Sequence, residues 1–175
     1  MKCLFILLSF LLCSNIYSQQ ITKAEYDDMG KVFFQRTDSI SKSKDLLYAI
    51  SKEWISNTFR SGKAVIDLDD KDNGKIIGKG SFDGFVTNYN VLIHYHFTIK
   101  IETKNNKVRF TIYDIYTKGS GYNGVEKAAE FWFGPLCKKC TQDVFDQHQS
   151  NIIKLSEMLR ANYFKAMNQG VDLDW

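Results

Sequence analysis

Two histidines, His94 and His96, stand two residues apart in a stretch of strictly alternating apolar and polar residues. On a β-strand this spacing puts both imidazoles on one face, an arrangement that suits a transition metal. Lys100 and Arg109 lie nearby and would repel a cation, although Glu102 partly offsets them. The sequence offers no evident third ligand, so a metal site and an ordinary exposed sheet face both stay open.

A second candidate for chemistry is the C-x-x-C pair Cys137 and Cys140. Such a pair serves a disulfide, a thiol-redox centre or part of a zinc site. No histidine follows directly, which excludes covalent haem attachment. His148 could add a metal ligand, but it falls on the apolar stripe of a helix, where a histidine is usually a core residue. We predict a structural disulfide, with a redox pair and a metal site as the alternatives.

Residues 119–124 match the pattern G-x-G-x-x-G. The dinucleotide fingerprint requires a parallel βαβ unit, whereas here the preceding strand is the second arm of a predicted hairpin. We interpret the segment as a connector. No nucleophile and base stand at a supporting spacing, so we predict no catalytic residues, no metal and no cofactor, and a protein that is more consistent with binding than with catalysis.

The first residues have the layout of a secretory signal peptide. Met1-Lys2 is a positive start, residues 3–13 are apolar apart from Ser9, and a more polar exit ends at Ser18. The apolar run is too short to span a bilayer, which takes roughly 20 residues. We expect cleavage after Ser18, which removes Cys3 and Cys13. The mature chain, 19–175, should then be periplasmic or secreted.

Size and charge limit the classes of partner. The chain has 175 residues, which suits a single domain over 19–175. Its formal net charge of +3 falls by one when Lys2 leaves with the leader. Nucleic-acid-binding domains are usually strongly basic on one face, so we predict no nucleic-acid partner. We expect an unknown protein or small ligand of the cell envelope, and no transmembrane segment in the mature chain.

Periodicity and turn residues predict five strands and three helices. The predicted strands are Lys31–Thr37, Ala64–Asp70, Lys75–Phe82, Val91–Thr103 and Lys107–Tyr116, and the predicted helices are Lys44–Arg60, a short one opened by an Asn123/Glu126 capping box, and Asp143–Asn168. Ser43 is the expected N-cap of the first helix.

The turn residues also fix two hairpin registers. A type I′ turn at Asn105-Asn106 sets Ile99 opposite Ile112, Ile101 opposite Phe110, Glu102 opposite Arg109 and Thr98 opposite Tyr113. In the earlier hairpin a two-residue Asn73-Gly74 turn would set Leu68 opposite Lys79. A three-residue turn with Gly74 left-handed sets Leu68 opposite Gly78 and Asp67 opposite Lys79, and we prefer it because it keeps one apolar face. It also puts Gly78 and Gly80 on the core face, where they leave room for a bulky neighbour or a close helix.

Four segments carry a resemblance to a known family: DLLYAISKEWI, VIDLDDKDNGKIIGKG, HYHFTIKI and KVRFTIYDI. Over about residues 30–117 the chain resembles the domain-of-unknown-function 4468 family of exported bacterial proteins. The resemblance implies a TATA-binding-protein-like fold of the α+β class, with an antiparallel sheet of about five strands, helices packed on one face, and the order β-α-β-β-β-β-α. Residues 118–175 would form a C-terminal helical extension. The resemblance implies no activity.

If helices cover one face of this sheet, the other face carries the even residues of the strand 91–103 and the odd residues of the strand 107–117. We take the following as candidate binding residues: His94, His96, Thr98, Lys100, Glu102, Arg109, Thr111 and Tyr113. The hypothesis is a non-catalytic binding or interaction module that uses this face. The alternatives are a thiol-redox or metal-binding protein that uses Cys137/Cys140 or His94/His96, and a partner contact at the aromatic cluster 131–133.

Overall fold

A computed structural model describes residues 23–59, 66–86, 91–119, 126–138 and 140–169. Within these ranges lie seven strands, β1 (Glu25–Tyr26), β2 (Val32–Ser39), β3 (Ile66–Asp70), β4 (Lys75–Val86), β5 (Val91–Lys104), β6 (Lys107–Gly119) and β7 (Glu126–Ala128), and three helices, α1 (Lys44–Thr58), α2 (Ala129–Phe133) and α3 (Gln142–Gln169). The five predicted strands are present, and the sequence analysis missed the short strands β1 and β7.

All strands pair antiparallel in one sheet with the order β1-β2-β6-β5-β4-β3, and β7 pairs with β6 beyond the end of β2. The predicted α+β class and antiparallel sheet are therefore confirmed. The β5–β6 register is also confirmed, because Ile101 faces Phe110 and Glu102 faces Arg109. The turn type was wrong: only Asn106 of the two turn residues has a positive φ, 60°, whereas type I′ requires it at both.

The predicted β3–β4 register was wrong by one residue at Leu68. Leu68 faces Ile77 and lies on the polar side of the sheet, and Asp70 faces Lys75, so the turn has four residues. The reason is the Asp70 carboxylate, which accepts hydrogen bonds from the backbone and side-chain nitrogens of Asn73 at 3.0 and 2.8 Å and thereby holds the longer turn. Gly74 is left-handed as predicted, with φ 63°.

A β-bulge in β6 changes which residues face the helices. Thr98 faces Tyr113 and His96 faces Tyr116, so β6 has one extra residue between these pairs, and Asp114 there has φ 48°. The extra residue reverses the alternation. Beyond the bulge Ile115 and Thr117 are buried and Tyr116 is exposed, which corrects the expectation that odd residues stay on the polar face up to 117.

The three helices cover one face of the sheet, as predicted. Ser43 caps α1 by accepting a hydrogen bond from the backbone N–H of Leu46. Trp54 of α1 makes edge-to-face contacts with Phe110 of β6 and Tyr163 of α3, with ring centroids 5.7 and 5.1 Å apart. These rings join both long helices to the sheet, and large buried aromatic side chains of this kind dominate the energetics of protein cores.

The capping box predicted at Asn123 and Glu126 was wrong, because Glu126 belongs to β7 and the helix begins at Ala129 without a side-chain cap. Asn123 itself, like most of the glycine-rich segment 119–124, lies outside the described residues. The aromatic cluster 131–133 packs inward: Trp132 is buried against Phe145, and Phe133 contacts Phe34. This packing favours a role in the core for the cluster over the partner contact that we considered.

Candidate functional site

The open face, defined here as the side of the sheet turned away from the helices, carries all eight candidate binding residues. They occupy cross-strand rows, such as Lys100 beside Thr111 and Thr98 beside Tyr113. Their exposure differs: Arg109 is exposed, whereas Thr98 and Thr111 are each only 5% exposed. The short threonine side chains lie between longer neighbours, so the open face is uneven, with a shallow depression at each threonine.

Charges on the open face alternate in sign. Glu102 lies between Lys100 and Arg109, with nitrogen–oxygen distances of 3.7 and 3.6 Å. Lys79 of β4 contacts Asp67 at 2.6 Å, and Lys118 of β6 contacts Glu126 at 3.2 Å. The predicted registers set Glu102 opposite Arg109 and Asp67 opposite Lys79, whereas the pair of Lys118 with Glu126 was part of no prediction. Opposite charges neutralise one another along the rows, so these residues do not form a basic stripe.

The two histidines lie on the open face in the first half of β5 and have different partners. His94 Nδ1 is 2.5 Å from the carboxylate of Asp83, its cross-strand neighbour in β4. His96 stacks on Tyr116 with ring centroids 4.7 Å apart. Across the described residues, no three His, Cys, Asp or Glu side chains gather as a metal site. The sequence analysis missed Asp83 because it ended β4 at Phe82.

A groove lies on the open face beside β2, and we call it the hairpin groove. It encloses about 410 Å³ and combines three of the candidate residues with parts of β2 and the β1–β2 turn. Its lining residues are Asp27, Met29, Lys31, Val32, Phe33, Gln35, Lys100, Thr111, Tyr113 and Asp114. Three of the eight candidate residues therefore line the groove, and the two histidines lie outside it, at what we call the histidine end.

The β1–β2 hairpin forms the outer wall of the groove. Asp27 Oδ1 accepts hydrogen bonds from the backbone N–H groups of Met29 and Lys31 at 2.9 and 2.8 Å, which closes the turn. Glu130 of α2 accepts a hydrogen bond from the backbone N–H of Val32 at 2.8 Å and ties the hairpin to the helix layer. Met29 at the tip is 82% exposed. The sequence pattern does not predict this wall because β1 has only two residues.

The floor of the groove is polar and partly ordered by its own hydrogen bonds. The Thr111 hydroxyl donates to Gln35 Oε1 at 3.3 Å, which leaves the Gln35 side-chain N–H groups as donors. Burial, together with the carboxylates of Asp114 and Asp67, raises the pKa of Tyr113. Its phenol is therefore protonated at neutral pH and can donate a hydrogen bond. Such a surface is suited to holding a polar ligand.

A second groove, of about 420 Å³, lies between α1 and the end of α3. Its lining includes the amide side chains of Asn57, Asn162 and Gln169 over Trp54. Asn162 Oδ1 accepts a hydrogen bond from Trp54 Nε1 at 2.7 Å, so one polar group of this groove already has a partner within the protein. None of the predicted site residues lines it.

Cys137 and Cys140 lie between α2 and α3 with their sulfur atoms at disulfide distance and their Cα atoms 5.2 Å apart. The backbone N–H of Cys140 also donates to the carbonyl of Cys137 at 3.0 Å, so the loop is a tight turn. This geometry is the one that the predicted structural disulfide requires. His148, the further metal ligand that we considered, instead bonds Tyr95 in the core.

Comparisons with known proteins agree on the fold. The chain is similar to a DUF4468 family protein from Bacteroides ovatus, with a TM-score of 0.71 and 16% identity over 85% of this chain and 92% of that one. It is similar to a TBP-like protein from Parabacteroides distasonis, with a TM-score of 0.72 and 16% identity over 84% of this chain and 98% of that one. No functionally curated protein matches the chain.

The sequence model of one family matches residues 33–118, which include α1, the strands β3 to β5 in full and all of β6 except Gly119. The structural likeness extends beyond this segment, since it covers 85% of the chain. At this identity the likeness shows the shared fold alone. The resemblance expected from the sequence is confirmed: residues 33–118 match the family described as a domain of unknown function (DUF4468) with TBP-like fold.

Proposed function

We propose that this protein is an exported, non-catalytic binding module that holds a small ligand in the hairpin groove of its open face. One observation carries the proposal. The β1–β2 hairpin adds a wall to the open face where Lys100, Thr111 and Tyr113 meet, and it turns a sheet surface into a groove of about 410 Å³. Ligand pockets are concave sites with a few placed polar groups, and their volumes begin at about 300 Å³.

The chemistry of the lining supports binding. Lys100, Gln35 and Tyr113 supply hydrogen-bond donors, and Phe33 and Met29 supply apolar surface. Mixed linings of this kind fix the orientation of a ligand through the polar groups and add affinity through the apolar ones. The alternating charges of the open face likewise support our expectation of a partner other than a nucleic acid.

The envelope location rests on the leader. Residues 1–18 lie outside the described residues, and export is proposed from their sequence pattern. Among the described helices, none has the length and apolar character needed to span a bilayer. The intact mass of protein extracted from the cell envelope should correspond to a chain beginning at Gln19. A mass that includes the leader would contradict export with cleavage.

Two closely matched substitutions test the groove. Lys100→Met and Thr111→Val nearly keep side-chain size while they remove a cation and a hydroxyl. Lys104→Met is the control, because Lys104 is exposed on β5 but does not line the groove. The mature protein is screened by thermal denaturation against amino acids, short peptides, sugars and small carboxylic acids.

We expect at least one compound class to raise the Tm of the wild type and of Lys104→Met, and to raise it less in the double variant Lys100→Met/Thr111→Val. An equal response of the double variant would remove the groove as the site. If a substitution of His94 and His96 abolished the response instead, the site would lie at the histidine end. No stabilisation by any compound class would contradict the proposed function.

A further inference from the structure

We propose that the hairpin groove takes a short peptide with free amino and carboxyl termini. This inference rests on the proposed function and adds the chemical class of the ligand. The groove contains two cations, Lys31 and Lys100, and two carboxylates, Asp27 and Asp114. A ligand of one sign would be attracted by one pair and repelled by the other, whereas a zwitterion of suitable length is attracted by both.

The cationic part of the groove is organised to receive a carboxylate. Lys100, Thr111 and Gln35 form one row across β5, β6 and β2. Since Thr111 donates to Gln35 Oε1, the side-chain N–H groups of Gln35 and the ammonium group of Lys100 flank the row as donors. Lys100 is 3.7 Å from Glu102, longer than a hydrogen bond, so its ammonium group keeps donors for a ligand.

The anionic part of the groove can receive an ammonium group. Asp114 stands on the β-bulge of β6 and is exposed. Asp27 uses Oδ1 for both backbone hydrogen bonds of the hairpin turn, and Oδ2 takes part in neither. A carboxylate can accept about four hydrogen bonds, so Asp27 can hold its turn and still contact a cation.

The dimensions fit a peptide of two or three residues. Thr111, the cross-strand neighbour of Lys100, and Asp114 are three residues apart on β6, which is about 10 Å at 3.3 Å per residue. An extended peptide covers about 3.3 to 3.6 Å per residue, so a tripeptide has nearly this length. Phe33 and the exposed Met29 offer apolar contacts between the charged ends, where a central apolar side chain can lie.

The test is isothermal calorimetry with the tripeptide Ala-Phe-Ala in four forms: free, C-terminally amidated, N-terminally acetylated, and blocked at both ends. The mature protein should bind the free form best. Each single block should weaken binding about fivefold, the effect of losing one partly exposed ion pair. Equal affinity for all four forms would overturn the zwitterion assignment and leave the groove itself as a binding site.

Two variants assign each end of the peptide. Lys100→Met should abolish the preference for the free acid over the amide, and Asp114→Asn should abolish the preference for the free amine over the acetylated form. Asparagine tolerates the left-handed backbone at this position. Lys104→Met should keep both preferences. Both preferences surviving in both variants would overturn the proposal. Absence of binding by all four forms of the peptide would also overturn it. The proposed function would then be tested by the non-peptide compounds of the thermal screen.

Discussion

At the scale of single residues, His148 shows most clearly how burial in the fold changes the ionisation of a side chain. Its ring stacks on Trp132 with centroids 3.6 Å apart, and its Nδ1 lies 2.9 Å from the hydroxyl of Tyr95. Asn151 donates to the same hydroxyl at 3.0 Å, which leaves the Tyr95 O–H group available to donate to Nδ1 of a neutral His148. Burial lowers the pKa of His148 to about 4, and the neutral ring is part of the core.

We predict that His148 makes the protein less stable in mild acid. Between pH 6.5 and about 4 the unfolded chain binds a proton that the folded chain excludes. The free energy of unfolding therefore decreases as the pH is lowered through this window. The loss should reach about 3 kcal/mol. His148→Asn keeps an acceptor for Tyr95 but does not titrate. Urea denaturation at several pH values should show a weaker pH dependence in the variant, and an unchanged dependence would contradict this account.

Gly80 was predicted to leave room on the core face, and it does. A Cβ atom there would lie 2.8 Å from a ring carbon of Phe59, just after α1, and 2.9 Å from one of Phe97. At Gly119 the nearest atom to an added Cβ, Ile93 Cδ1, is 4.0 Å away. The two positions therefore form a matched pair for the same substitution.

We predict that Gly80→Ala lowers the free energy of unfolding by about 1 to 3 kcal/mol, because the aromatic rings must move to admit the methyl group. Gly119→Ala should leave it nearly unchanged. Chemical denaturation of both variants is the measurement. Similar stability of the two variants would mean that the contact of Phe59 with β4 is looser than the structure shows.

At the scale of elements, the long β5–β6 hairpin could be predicted because apolar and charged pairings agree on one register. The β3–β4 hairpin could not, because the hydrogen bonds of Asp70 to Asn73 outweighed the apolar alternation that we used. The alternation of apolar and polar residues over 107–113 does not indicate the bulge that follows at Asp114. Short elements such as β1 and β7 are stabilised by tertiary contacts, so propensity and periodicity do not reveal them.

The link between α2 and α3 carries its own prediction. Replacing both Cys137 and Cys140 by serine should lower the free energy of unfolding by only about 2 kcal/mol, because the disulfide closes a very short loop. The domain should stay folded by circular dichroism. Thiol titration of wild-type protein purified without reductant should detect no free thiol. Two free thiols would contradict the bond and return the pair to the redox or metal alternatives.

At the scale of the whole molecule, the sequence predicted which side of the sheet stays open but not the site on it. Alternation in β5 and β6 placed all eight candidate residues correctly. The hairpin groove depends on the β1–β2 wall and on Asp114, which no periodic pattern marked. The extent of the domain, 19–175, and the division into a family-like core and a C-terminal extension stay predictions.

The central claim is that a ligand binds the open face rather than the helical side, and amide NMR of the mature protein tests it most directly. On titration with a compound that raises the Tm, the backbone amides of Gln35, Thr111 and Tyr113 should shift. The indole N–H of Trp54, which lies at the groove between α1 and α3, should stay unchanged. Shifts centred on Trp54 and Asn162, with unchanged open-face amides, would contradict the account.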